Sequence, residues 1–132
     1  MITPALLITD DDRAFRETLR SVFEPRGFCT LLAGDGREAL DIVRSQAVHL
    51  ALFDLHMPLL DGLETIRQLR VSANHMPCIL MSAKLDQGVV DAAREEQVYS
   101  VLSKPFSISK ITSLVRDALQ QAYPWANGPE QL

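Results

Sequence analysis

Five short apolar runs, each followed by a segment with helical spacing, limit what this chain can fold into more than any other feature. The runs are Ala5-Leu6-Leu7-Ile8-Thr9, Phe28-Cys29-Thr30-Leu31-Leu32-Ala33, Val48 to Phe53, Pro77-Cys78-Ile79-Leu80-Met81-Ser82 and Tyr99-Ser100-Val101-Leu102. Continuous apolar runs of this length, bounded by turn residues, read as strands buried on both faces. In Arg13 to Glu24, Phe15, Leu19, Val22 and Phe23 fall on one helical face, and Pro25 and Gly27 stop the helix. Asp35 opens a second helix as an acidic N-cap, with Glu38 close to a capping box. That helix turns Ala39, Leu40 and Val43 inward and ends near Gln46. Leu63, Ile66 and Leu69 mark a third, closed off by Ser72-Ala73-Asn74. Asp86 caps a weaker fourth that runs to about Glu96 and has only Val89, Val90, Ala92 and Ala93 as its apolar face. Ser107 caps the last, where Ile108, Ile111, Leu114, Val115, Leu119 and Ala122 form the best stripe in the chain.

Strands alternating with helices through short loops predict an α/β domain with a five-stranded parallel sheet. Right-handed crossovers put the five helices on both faces, a doubly wound arrangement. A chain of 132 residues makes one such domain. It is expected over residues 1–123, with 124–132 as a turn-rich tail that frays or leads into further chain. Trp125 in that tail either packs back on the domain or makes no contact. The net charge of −4 and the lack of a basic stripe argue against direct nucleic-acid contact. No apolar run approaches the roughly 18–20 residues of a membrane span. Met1-Ile2-Thr3-Pro4 lacks the positive region of a secretory signal, so a cytoplasmic location is expected. Cys29 and Cys78 make no disulfide framework or metal spacing and are read as two buried thiols in a reducing compartment.

In a doubly wound sheet the site lies beyond the carboxyl ends of the strands, where strand order reverses. That rule gathers residues far apart in the chain. Asp10 and Asp11 end the first run, Asp54 the third and Ser82 the fourth, while Lys104 follows the fifth. Asp10 and Asp11 could be helix caps, but Asp12 suits that role better. Three carboxylates on one rim repel, each pair by roughly 3 kcal/mol at about 5 Å and an effective dielectric near 20. A hard divalent cation such as Mg²⁺ would neutralise them and leave positions open for a phosphoryl group. Lys104 adds a cation and Ser82 a hydroxyl donor. An aspartate in such company is equipped to attack phosphorus and form an acyl phosphate.

These residues resemble the receiver domain of two-component response regulators, over roughly Leu6 to Tyr123. The resemblance rests on Asp10-Asp11, on Asp54-Leu55-His56-Met57-Pro58-Leu59-Leu60-Asp61-Gly62, on Ser82-Ala83 and on Lys104-Pro105-Phe106, in that order. It implies a flavodoxin-like, CheY-like sheet of strand order 2-1-3-4-5. It implies that Asp54 accepts a phosphoryl group from a histidine kinase or histidine phosphotransfer protein, in a phosphoacceptor domain rather than an enzyme with turnover. It further implies Mg²⁺ held by Asp11, Asp54 and the backbone carbonyl of His56, with Asp10 acting mainly through water. Ser82 and Lys104 would bind phosphoryl oxygens, and the Lys104-Pro105 bond is expected to be cis. His56 and Lys84 would tune the lifetime of the phosphorylated form.

One departure bears on signalling. Receivers that switch through an aromatic carry it three positions before the lysine, and here that position is Val101. Tyr99 is expected on the same face of the strand as Val101, where it could substitute. Gln97-Val98 also stands where the family has a small Gly-Ala pair. If the switch works, the Asp86–Glu96 helix is the element to shift, and residues 86–123 form the output face for a homodimer or a partner. A receiver-like binding module that no longer switches is the alternative. A hydrolase with an aspartate nucleophile, like haloacid-dehalogenase-like phosphatases, would need Asp-x-Asp, and His56 occupies the third position. Arg13, Arg16 and Arg20 share one helix face, either solvated or a docking surface for an acidic partner.

Overall fold

The five apolar runs become five parallel strands in the computed structural model, which describes residues 2–127. In chain order the elements are β1 (Ala5–Thr9), α1 (Arg13–Phe23), β2 (Cys29–Ala33), α2 (Gly36–Ser45) and β3 (Leu50–Asp54). Then come α3 (Gly62–Val71), β4 (Cys78–Ser82), α4 (Gln87–Glu95), β5 (Ser100–Ser103) and α5 (Ile108–Ala122). Short 3-10 turns follow α1 at Glu24–Arg26 and α5 at Pro124–Asn127. The sheet runs β2-β1-β3-β4-β5, every neighbouring pair parallel, which is the expected order. Thr9 lies opposite Ala33 and Phe53, Asp54 opposite Met81, and Ser82 opposite Ser103, so the carboxyl ends of the strands form one rim. Among the described residues no helix is long and apolar enough to cross a membrane.

Alternation along the strands divides the interior into two cores. Leu6, Ile8, Leu50, Leu52, Ile79 and Met81 pack against α1 and α5. Leu7, Ala51, Phe53, Cys78 and Leu80 pack against α2, α3 and α4. The three central strands are buried at every position, and that is why they read as unbroken apolar runs. Each fully buried leucine or isoleucine contributes roughly 1.5–3 kcal/mol. The edge strands are more open, and this corrects the reading of the cysteines. Cys78 is buried, but Cys29 opens the edge strand β2 and is exposed.

Helix starts follow the sequence closely. Asp12, Asp35, Asp61, Asp86 and Ser107 each accept the backbone N–H of the residue three positions on. Strand starts follow it less well, because Phe28, Val48 and Tyr99 precede their strands instead of belonging to them. The weak anchoring expected of the fourth helix is present: α4 buries only Ala93, near its C-terminal end. That end is tied to α3 by Arg70, whose guanidinium donates to the carbonyls of Glu96 (3.0 Å), Gln97 (3.2 Å), Asn74 (3.1 Å) and Met76 (2.9 Å). Arg67 on α3 adds ion pairs to Glu64 and Glu96.

The chain after α5 departs from a fraying tail as far as it is described. Trp125 stacks on Tyr123 with ring centroids 5.2 Å apart, and both rings meet His49 edge to face. Trp125 thus takes the first of its two readings and packs back on the α1–α5 core. Residues 128–132 lie outside the described residues.

Candidate functional site

The rim at the carboxyl ends of the strands gathers the predicted polar groups. Asp10 follows β1 and is only 1% exposed, while Asp54 ends β3 and is 7% exposed. Asp11 beside them is open to solvent. Carboxylate oxygens of Asp10, Asp11 and Asp54 all lie within 4.8 Å of one another. Lys104, carried in from β5, donates to Asp10 Oδ2 at 2.6 Å and lies 3.3 Å from Asp54 Oδ1. Its ammonium also sits 4.2 Å from the centroid of the Phe15 ring on α1. The Lys104-Pro105 bond is cis, as the resemblance implies.

The electrostatics are those of crowded, half-desolvated charge. Burial pushes the Asp54 pKa above the ordinary aspartate value, and the negative charges of Asp10 and Asp11 add to that, against the pull of Lys104. Burial alone would lower the Lys104 pKa, but its bonds to Asp10 and Asp54 outweigh it and hold the amine protonated. Three carboxylates and one ammonium leave a formal excess of two negative charges. An all-oxygen donor set with that excess fits a hard divalent cation.

Two details of the site escape the one-dimensional reading. Asp10, expected to act through water, holds Lys104 directly and caps its own loop by accepting from the Asp12 N–H at 2.9 Å. Ser82, expected to bind a phosphoryl oxygen, is buried and donates to the Lys84 carbonyl (3.0 Å), while the Lys84 N–H bonds back to it. Convergence at one rim is readable from strand ends; the pairing of side chains on it is not. Phe15, below Lys104, was read only as a core residue. His56 and Lys84 are both exposed.

Backbone support for Asp54 comes from Gly62. A Cβ at Gly62 would stand 2.3 Å from the Asp54 carbonyl oxygen, and the Gly62 N–H donates to the Leu55 carbonyl at 3.1 Å. The loop from Asp54 to Asp61 therefore folds back onto its own strand, and only glycine permits the approach. On α1, Arg16 donates to the Asp10 carbonyl at 2.6 Å, and Arg20 pairs with Glu17 and Glu24. Two of the three arginines proposed as a docking face thus have intramolecular partners, which favours the solvated-face reading.

Tyr99 and Val101 line one cavity beside β5, between the end of α4 and α5. Val101 packs into the α2–α4 core and Tyr99 against the α1–α5 core. Tyr99 stands just before β5, with its N–H bonded to the Cys78 carbonyl of β4 at 2.8 Å.

Comparison with known proteins agrees with this geometry. Residues 6–116 match the family model described as response regulator receiver domain. The curated protein "Response regulator MprA" of Mycolicibacterium vanbaalenii is 36% identical over 119 residues, covering 90% of this chain and 52% of that protein. A protein of the same name from a Mycobacterium species is 34% identical over 125 residues, covering 95% and 54%. The chain thus spans about half the length of the curated relatives it matches. Among solved structures, the Francisella response regulator 1452 receiver domain superposes with a TM-score of 0.86 at 28% identity, covering 91% of this chain and 99% of that one. A CheY-like receiver domain protein from Methanospirillum hungatei gives 0.88 at 20% identity, covering 92% and 97%, and speaks for the fold alone. The fold, the rim of acids with its lysine and these matches together make the chain a member of the response regulator receiver domain family of two-component signalling.

Proposed function

We propose that Asp54 is the phosphoacceptor of a two-component phosphorelay and that the donor is a phosphohistidine on a histidine kinase or histidine phosphotransfer protein. The observation that carries this reading is the Asp54 carboxylate at the end of β3, with Lys104 3.3 Å away and two further carboxylates beside it. An Asp54 oxygen attacks phosphorus, the phosphorus–nitrogen bond of the donor breaks, and its electron pair returns to the imidazole nitrogen, which takes a proton. Lys104 stabilises charge on the transferring oxygens once it is drawn from Asp10. Asp10, Asp11 and Asp54 supply the donor set for Mg²⁺, with the His56 carbonyl as a further ligand. When bound, the ion would neutralise charge on the phosphoryl oxygens. Ser82 reaches the phosphoryl group by giving up its bonds to Lys84, so modification of Asp54 is coupled to the loop that leads into α4. The output face is then α4, β5 and α5, within residues 86–123, used for self-association or for a partner, with the whole cycle in the cytoplasm.

The test is incubation with acetyl phosphate, with and without Mg²⁺, followed by intact mass and sizing. Wild type should gain the mass of one phosphoryl group in the presence of Mg²⁺, and Asp54→Asn should not. Equal labelling of both proteins would overturn the assignment. A second reading is favoured by the packing of Val101: the domain accepts phosphate but no longer switches. Phosphorylation without change in association or amide exchange would select it.

A further inference from the structure

The geometry points to His49 as an acid-labile latch that holds the segment leaving α5 against the far end of the sheet, opposite the phosphoacceptor rim. His49 lies just before β3, and its Nδ1 accepts the backbone N–H of Ala5, the first residue of β1, at 2.9 Å. An imidazole that accepts through Nδ1 is neutral and carries its proton on Nε2. The carbonyl of the same residue accepts from the Tyr123 hydroxyl at 2.7 Å. The Tyr123 and Trp125 rings stack on each other and stand at 84° and 81° to the imidazole, 5.5 Å and 5.3 Å from it. One residue therefore ties together the start of β1, the end of α5 and the turn Pro124–Asn127.

This arrangement has only one protonation state. A second proton must go to Nδ1, and it would then face the Ala5 N–H, donor against donor. Ala5 is buried, and its N–H would lose the imidazole as its partner. The imidazole would have to turn away, and the two aromatic rings that lean on it would lose their support. The groups around His49 do not offset this. The Tyr123 phenol is raised by burial, and behind it the Cys78 thiol on β4 is pushed up by burial to about 11, so both stay neutral where histidine titrates. Among the described residues no ion pair includes His49. The latch is thus closed when His49 is neutral and opens when it is protonated, independently of phosphorylation at Asp54.

Trp125 is the sole tryptophan of the chain, so its fluorescence reads the latch directly. The full chain is titrated between about pH 8 and about pH 5, the range in which imidazole charge changes, with wild type, His49→Gln and His49→Phe in parallel. Wild type should show a one-proton transition in Trp125 emission, and the protection of the Trp125–Asn127 amides, taken relative to the intrinsic exchange rate at each pH, should be about fivefold lower on the acid side, the factor for one typical hydrogen bond. His49→Gln keeps a neutral acceptor and should stay latched without a transition. His49→Phe should be open at every pH. A transition of equal size in His49→Gln, a flat wild-type profile, or higher protection of these amides at low pH would each overturn the proposal. Circular dichroism on all three proteins separates local opening from loss of fold.

Discussion

At the scale of single residues, the acidic rim stores repulsion that the fold tolerates. The Asp54 pKa is raised on folding, so the folded chain binds that proton more tightly than the unfolded chain does. Asp54's contribution to stability is therefore fully present below the ordinary aspartate value and is lost as pH rises through the raised one. At neutral pH without metal, Asp54→Asn should stabilise the protein by about 1 kcal/mol, the order of one close charge pair at high effective dielectric. Added Mg²⁺ should raise the melting temperature of wild type more than that of the variant. Thermal melts with and without Mg²⁺ test both statements. Gly62→Ala should do the opposite, because its methyl group would stand 2.3 Å from the Asp54 carbonyl oxygen. A loss of about 1–3 kcal/mol is expected, together with slower labelling by acetyl phosphate. The thiols give an independent check on burial. Cys78, with its pKa near 11 and its side chain enclosed, should resist a thiol reagent that labels Cys29, and both should react in denaturant.

At the scale of elements, α4 is the most weakly buried of the five α-helices, and it is held at one end. Its one buried residue and the Arg70 contacts are all at the C-terminal end, while Asp86, Gln87 and Gly88 at the other end are exposed. Gln97, just after α4, adopts a φ of 57°, a left-handed conformation that a glycine would take without strain. Gln97→Gly should therefore raise stability by about 0.5–1 kcal/mol in denaturant melts, and a loss would mean that the Gln97 side chain matters to the fold. Arg70→Ala should speed amide exchange at Glu96–Val98 while leaving α1 and α5 unaffected. The helices were legible because their caps and stripes are local: Asp35, Asp86 and Ser107 each announce a start. The strand starts were not, since Val48 and Tyr99 are apolar enough to read as strand, yet the paired registers begin after them, at Leu50 and Ser100.

At the scale of the molecule, the strand ends did most of the predictive work. Parallel order and the crevice rule were enough to bring Asp10, Asp11, Asp54 and Lys104 together from opposite ends of the sequence. What stayed hidden was which oxygen takes which donor. Lys104 bonds to Asp10 and Ser82 to Lys84 because of side-chain reach and local turn geometry, neither of which leaves a periodic trace. The start of β5 stayed hidden for a related reason: Tyr99 is as apolar as the strand it precedes. The cores on the two sides of the sheet are separately packed but share every strand, so a large cavity on either side should unfold both in one transition. Ile66→Ala, on the α3 side, should lower the single melting midpoint and remove about 2–5 kcal/mol without splitting the transition.

Strand β1 begins at the imidazole of His49 and ends at the carboxylate of Asp10, with five residues between that are buried throughout. Such a rod, gripped by hydrogen bonds along both edges, does not stretch. The proposed acid latch at its tail and the proposed phosphoacceptor at its head thus stand at opposite ends of one stiff ribbon of backbone, and a variant at either end can be read for its effect on the other.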